Sequence, residues 1–292
     1  MVGMRLPCHP CQVARLGLAL FLASAWAAER SPSSRQAPSS SAVVPGRLIA
    51  LTFDDGPKPY VLKGAKLPNG TTVPSLLDLL DREGVKATFF VMGFRLADTA
   101  DKFCRQIDVG INCRQAAEEE HRRGHEIENH TYGHGAFSKT TKRYGEEWVL
   151  NDIDRASRII QSVTGVRPRY VRPPDWDIWE SLRKKIEARG YRLMTKSKGD
   201  VMQAPALEDV DSQDYIYTLQ KSAGAAAITE HDYVMQRIEQ RERKGIYTHI
   251  LVFHELPISV GVLSDLIPKL RQEGYEFKTL REYMAAVGEG QK

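Results

Sequence analysis

Two carboxylates stand side by side at Asp54-Asp55, and two imidazoles stand four residues apart at His130 and His134. A guanidinium and a third imidazole close two further short runs at Arg172 and His254. Histidines at that spacing, on a helical turn or a tight loop, can turn both rings toward one point. A carboxylate from elsewhere in the chain completes a two-His-one-carboxylate set, which holds a catalytic divalent cation and leaves positions for water and substrate. Zinc heads the expected occupants, and iron, cobalt and nickel also suit such donors. Taken singly, each group is ordinary, because Asp-Asp-Gly also caps turns and His-x-x-x-His also occurs on surfaces and in cores. Their common placement changes the reading: every one falls at the end of a strand-like run. His125, inside such a run, reads as a hydrogen-bonded core residue.

The elements that must carry these groups follow from periodicity. Arg47 to Phe53 is too apolar for a surface loop and stops at the two acids, with Gly56-Pro57 as loop punctuation. The acids therefore sit at a strand's C-terminal end, where chemistry collects in parallel α/β sheets and barrels. Helical patterns over 74–83, 113–123, 146–163, 179–189, 233–244 and 263–273 are each followed at once, or within two residues, by a glycine suited to closing a helix. Strand patterns alternate with them at 86–92, 125–129, 169–172, 191–195, 247–254 and 275–278. Seven strands with helices between them predict an α/β fold, a distorted or incomplete (β/α) barrel with about seven parallel strands. No glycine-rich phosphate loop follows the first strand, which argues against nucleotide binding.

The N-terminus reads differently. Residues 1–28 hold Arg5 and Arg15, an apolar run from Leu16 to Ala23, and small residues around Trp26, the pattern of a secretory signal peptide. The run is too short for a membrane span, so no stable span is expected after cleavage. Residues 29–46 are rich in Ser and Pro and read as a linker, leaving 47–292 as one catalytic domain. Cys8 and Cys11 fall in the expected signal and carry no role. Cys104 and Cys113 are expected to form a disulfide in an exported chain. The chain carries a formal charge of +4; without Arg5 and Arg15, its 41 Lys and Arg fall to 39 against 37 acids, a balance that argues against nucleic acid as partner.

The strings Thr52-Phe53-Asp54-Asp55-Gly56-Pro57 and His130-Thr131-x-x-His134 together resemble the polysaccharide deacetylases of carbohydrate esterase family four, over about Arg47 to Tyr283. The resemblance implies that Asp54 is a general base, that Asp55, His130 and His134 ligate a divalent metal, foremost zinc, and that Arg172 holds the base. It implies that His254 is the general acid, oriented by an aspartate for which Asp200 is the preferred candidate; Asp209, Asp211 and Asp214 lie in a polar segment and are passed over. Pro174, Asp175 and Trp176 are expected at the substrate. The implied partner is an acetylated polysaccharide or oligosaccharide outside the cytoplasm, secreted or periplasmic, with acetate released from its N-acetyl groups. Competing readings are an O-acetyl esterase on a xylan-type glycan, a non-catalytic glycan-binding relative, and a small-molecule amidase. The chain departs from the family's pattern at Asp175-Trp176, where an aromatic and a glycine are usual, and at Glu128, where a glycine is common. Residues 201–229 read as a lid or insertion. These departures are expected around the substrate cleft.

Overall fold

The first strand, β1 (Leu48–Gly56), is buried along almost its whole length because it has neighbours on both faces and both edges. In a strand, side chains alternate between faces. Ile49, Leu51 and Phe53 accordingly join the outer core with the helices, and Ala50 joins an inner cluster with Phe90, Tyr170, Ile250 and Val252. The computed structural model describes residues 46–58, 61–67, 69–97, 112–194, 209–212 and 229–288, all within the unit Ser41–Lys292. The expected signal and nearly all of the linker lie outside the described residues.

The main sheet continues with β2 (Thr88–Val91), β3 (Glu126–Asn129), β4 (Tyr170–Val171), β5 (Arg192–Leu193), β6 (Asp209–Asp211), β7 (Thr248–His254) and β8 (Glu276–Lys278). Their order is β5-β4-β3-β2-β1-β7-β6, with β8 on the lower half of β1, and every pairing is parallel. The result is a curled half-barrel with helices around it, in which each of the seven expected strands has its place. Within this sheet, the strand not expected from the sequence is β6; outside it, Ala65–Lys66 and Thr72–Val73 form a short antiparallel pair. Strand β6 lies within 201–229, which had been read as an insertion, yet it pairs with β7 and buries Val210 and Ser212. Acidic residues flanking one valine hide a strand from a hydrophobicity pattern.

The helices are α1 (Leu76–Arg82), α2 (Gly93–Leu96), α3 (Cys113–Arg122), α4 (Phe137–Tyr144), α5 (Glu146–Thr164), α6 (Glu180–Ala188), α7 (Glu230–Glu242), α8 (Pro257–Gln272) and α9 (Leu280–Ala286). The six glycines read as helix stops all take positive φ, from 57° at Gly84 to 89° at Gly274. Cys113 opens α3 and is disulfide-bonded; the expected partner, Cys104, lies outside the described residues. Helix α9 was not foreseen. Its Leu280, Tyr283 and Met284 plug the N-terminal end of the barrel interior. No helix among the described residues is long and apolar enough to cross a membrane.

At that lower end a buried polar chain ties three elements together. Arg241 Nε donates to His249 Nδ1 at 2.9 Å, so Nε2 carries the ring proton and donates to Tyr275 Oη at 2.8 Å. Tyr275 in turn donates to Glu242 Oε1 at 2.8 Å, which Arg47 also holds at 2.6 Å. Burial, with Arg241 and Arg47 nearby, pushes His249 down to about 3, and burial with Lys86 pushes His125 down to about 4. His125 is the core residue expected: its Nδ1 accepts from the Ala87 N–H at 3.1 Å. Below pH 6.5 the unfolded chain protonates both rings while the folded chain does not, so stability falls as pH drops toward those two values. Chemical denaturation is expected to show a loss on the order of 2 kcal/mol per histidine between pH 6.5 and 4.5. In His249→Gln, whose amide can replace both hydrogen bonds, that part of the pH slope disappears; an unchanged slope refutes the assignment.

Candidate active site

Parallel register sets the ends of the strands level with one another. Asp54 is opposite His254, Val91 opposite Asn129, and Asn129 opposite Val171, so His130 and Arg172 begin where their strands stop. Simple alternation would send Asp54 and Asp55 to opposite faces. A register shift between Phe53 and Gly56 and a left-handed backbone at Asp55 (φ 64°) bring both carboxylates to one cavity.

Asp54 points inward, and its Oδ1 accepts from Arg172 Nη1 at 2.6 Å. The same nitrogen donates to Thr52 Oγ1 at 3.0 Å, and Thr52 donates onward to the Leu251 carbonyl. Arg172 is fully buried, with its guanidinium 4.1 Å from the Phe90 ring centroid and 5.3 Å from that of Trp176. A buried ion pair needs such additional support to offset desolvation of its two charges.

The two histidines are presented by a tight loop. Asn129 anchors it, donating to the Ile153 carbonyl (2.9 Å) and Ser157 Oγ (2.7 Å) on α5 while accepting from the Thr131 N–H. Asp152 on α5 accepts from the N–H groups of Tyr132 and Gly133 at 2.9 and 3.2 Å. Within this loop Thr131 and His134 have φ of 67° and 54°, and His134 N donates to Thr131 Oγ1.

His130 Nδ1 lies 2.8 Å from the Arg172 carbonyl oxygen, which can only accept. The proton therefore sits on Nδ1, and Nε2 presents its lone pair. That lone pair faces Asp55 Oδ1, another acceptor, at 3.3 Å, while His134 Nε2 stands 2.9 Å from the same oxygen. Lone pairs aimed at one another are unfavourable unless a proton or a metal cation lies between them. The donor atoms of Asp55, His130 and His134 all fall within 4.8 Å of one another. The set fits a divalent metal, and the Arg172 carbonyl is the outer partner that fixes the tautomer.

The remaining wall comes from the turn after β4. Asp175 and Trp176 have φ of 56° and 57°, and the Ser138 N–H ties the turn to α4 through Asp177 Oδ2 at 2.7 Å. Among the described residues, the non-glycine positions with positive φ are Asp55, Thr131, His134, Asp175 and Trp176. Each such backbone costs on the order of 1–3 kcal/mol, and all five belong to this site.

A cavity of about 400 Å³ is lined by Asp54, Asp55, His130, His134, Pro173, Asp175, Trp176, Asp211, Val252 and His254. His254 Nε2 lies 3.8 Å from Asp55 Oδ2. Arg172 stands behind Asp54. Pro174, expected at the substrate, is not among the lining residues, whereas Pro173 is. Asp200 lies outside the described residues. Asp211, passed over in the sequence, does line the cavity: it is opposite Val252, two residues before His254 on the same face of the sheet. The available signal was a single buried-type valine between two acids. Glu128 is not a cleft residue as expected. It is buried and accepts from the N–H groups of Arg169 (2.7 Å) and Tyr170 (2.8 Å), clasping β3 to β4. Burial pushes its carboxyl up to about 8.

Among curated proteins, a peptidoglycan-N-acetylglucosamine deacetylase of Bacillus cereus is 29% identical over 234 residues, covering 80% of this chain and 66% of the relative. The peptidoglycan-N-acetylglucosamine deacetylase PgdA of Listeria monocytogenes is 26% identical over 253 residues, covering 86% of this chain and 42% of the relative. The chain thus spans less than two thirds of the length of these relatives. Among solved structures, a family 4 acetyl xylan esterase from Clostridium thermocellum in complex with a cobalt ion superposes with a TM-score of 0.56. It is 23% identical and covers 82% of this chain and 92% of that one, a likeness of fold. Residues 42–194, just over half of the sequence, match the family described as polysaccharide deacetylase. By that match, the chain belongs to the polysaccharide deacetylase family.

Proposed function

We propose that the protein hydrolyses N-acetyl groups on an extracytoplasmic glycan, peptidoglycan foremost, in a metal-dependent reaction that releases acetate. The observation that carries this reading is the convergence of Asp55, His130 and His134 beside the Asp54–Arg172 pair, with His254 across the same cavity. The names of the B. cereus and L. monocytogenes relatives favour peptidoglycan as the substrate. The expected signal peptide agrees with a secreted or periplasmic location.

Asp55, His130 and His134 would hold a divalent cation, zinc foremost, which would supply Lewis acidity toward an acyl carbonyl and toward water. Asp54 is the general base that takes the proton of the attacking water. Arg172 fixes the orientation of that carboxylate through its 2.6 Å contact. The Trp176 N–H is committed to the Pro173 carbonyl at 3.2 Å, so the Asp175 N–H serves the developing oxyanion. His254 delivers a proton to the departing amine. Asp211, on the neighbouring strand, takes the orienting role that Asp200 was expected to fill. The Asp175 side chain and Trp176 present hydrogen-bonding and stacking groups to the sugar.

The test is acetate release from a panel of N-acetylated glycans, with acetyl-xylan as the O-acetyl arm. The esterase reading is retained because the cobalt-bound neighbour is named an acetyl xylan esterase. Chelation is expected to abolish release, and added zinc or cobalt to restore it. Full activity in metal-free protein would falsify the metal assignment, and release from acetyl-xylan alone would move the substrate to the ester.

A further inference from the structure

Behind the turn that carries Asp55 lies a group of buried charges that the proposed mechanism does not use. Glu255, the residue after His254, is 1% exposed. Its Oε2 accepts from the Lys58 backbone N–H at 2.5 Å, and its Oε1 has no hydrogen-bond partner among the described residues. The carboxylate lies against Gly56: a Cβ there would stand 1.6 Å from Glu255 Oε1 and 2.6 Å from Cδ. Gly56 does not take a positive φ, so the absence of a side chain answers to the Glu255 carboxylate and not to backbone conformation.

A buried carboxyl and a half-buried guanidinium neighbour this carboxylate. Neither oxygen of Glu120, on α3, has a hydrogen-bond partner among the described residues, and the same holds for Nε and Nη1 of Arg95, on α2. Burial and the neighbouring Glu255 carboxyl push Glu120 well above its ordinary range. Arg95, whose own value burial lowers, is attracted to Glu255 and to Asp55. A carboxylate is costly to bury unless its bonds compensate. Here those bonds join the ends of two strands: Glu255 follows β7, and Lys58 and Gly56 follow Asp55.

We infer that Glu255 is a positioning residue that clamps the Asp55–Lys58 turn to the strand end bearing His254, and so sets where the Asp55 carboxylate meets the two histidines. A carboxyl oxygen still accepts from Lys58 whether or not Glu255 is protonated, so the role does not depend on its titration. The consequence for metal binding rests on the metal reading above.

The test uses the full chain with Glu255→Ala, Glu255→Gln and Gly56→Ala. It reads amide exchange at Lys58 in chelator-treated protein and Co²⁺ affinity by calorimetry. Glu255→Ala is expected to accelerate Lys58 exchange and to weaken cobalt binding by about 10- to 100-fold, the range seen when supporting partners of metal ligands are lost. Glu255→Gln, which keeps an acceptor oxygen, is expected to restore both. Gly56→Ala should reproduce the loss by evicting the carboxylate, yet add little in the Glu255→Ala background. Parent-like exchange and affinity in Glu255→Ala overturn the inference, as does a Gln variant impaired as much as Ala. Should Glu255→Ala fail to fold, as read by near-UV circular dichroism, the Gln and Gly56 variants decide. A parent protein that binds no cobalt sinks the metal reading, while Lys58 exchange still decides whether the clamp exists.

Discussion

Asp54→Asn is expected to lower acetate release by about 10²- to 10⁴-fold, the range typical of a lost general acid or base, while leaving cobalt stoichiometry unchanged. The reasoning is geometric. Asp54 faces Arg172 at 2.6 Å, and it is Asp55 whose oxygen meets both histidines. Asn preserves the shape of the side chain and one acceptor oxygen for Arg172, so the buried guanidinium keeps a hydrogen bond while the proton acceptor is lost. His130→Ala is expected to remove metal and activity together, because it deletes both a donor atom and the contact to the Arg172 carbonyl. Measuring bound cobalt beside turnover separates the two roles. If Asp54→Asn loses the metal and keeps its activity, the two carboxylates have been exchanged.

His254→Ala is expected to reduce turnover on an N-acetyl substrate by a further factor in the range of about 10²- to 10⁴-fold, and to affect an activated aryl acetate far less. An amine leaves poorly unless it is protonated, whereas an aryl oxide departs without help. His254 is half-buried on the far side of the cavity from the histidine loop, with Nε2 3.8 Å from Asp55 Oδ2. In the proposed mechanism the proton is delivered from that side. Asp211→Asn is expected to act in the same direction by a smaller factor, because its proposed role is to orient His254. Equal losses on the amide and the aryl ester would show that His254 supports the strand end and does not deliver a proton.

Much of this arrangement was legible before any coordinates, for reasons that can be stated residue by residue. The apolar run into Asp54 had to be a buried strand, and a glycine after each helical pattern had to be a stop, because both are local consequences of side-chain transfer and backbone sterics. A strand buried on both faces announces itself in a continuous hydrophobic string, as β1 does. Strand β6 does not: its Asp209-Val210-Asp211 becomes a strand only because β7 offers an edge to pair with and the cavity accepts a carboxylate. Glu128 misled for the related reason that its partners, the backbone N–H groups of Arg169 and Tyr170, lie more than forty residues away.

The sequence by itself determined the residue types at the strand ends, and therefore that a two-His-one-carboxylate set beside a second acid was available. Only the tertiary structure decided which acid faces which partners. Adjacent residues on a regular strand point apart, and it took the left-handed backbone at Asp55, with the register shift beside it, to bring that carboxylate to the histidines while Asp54 turned to Arg172. The tautomer of His130 was likewise decided by a carbonyl 42 residues away in the sequence. Composition and periodicity report on local free energy, whereas such contacts exist only once distant strands are held in register, so they leave no signature in the string of residues that makes them.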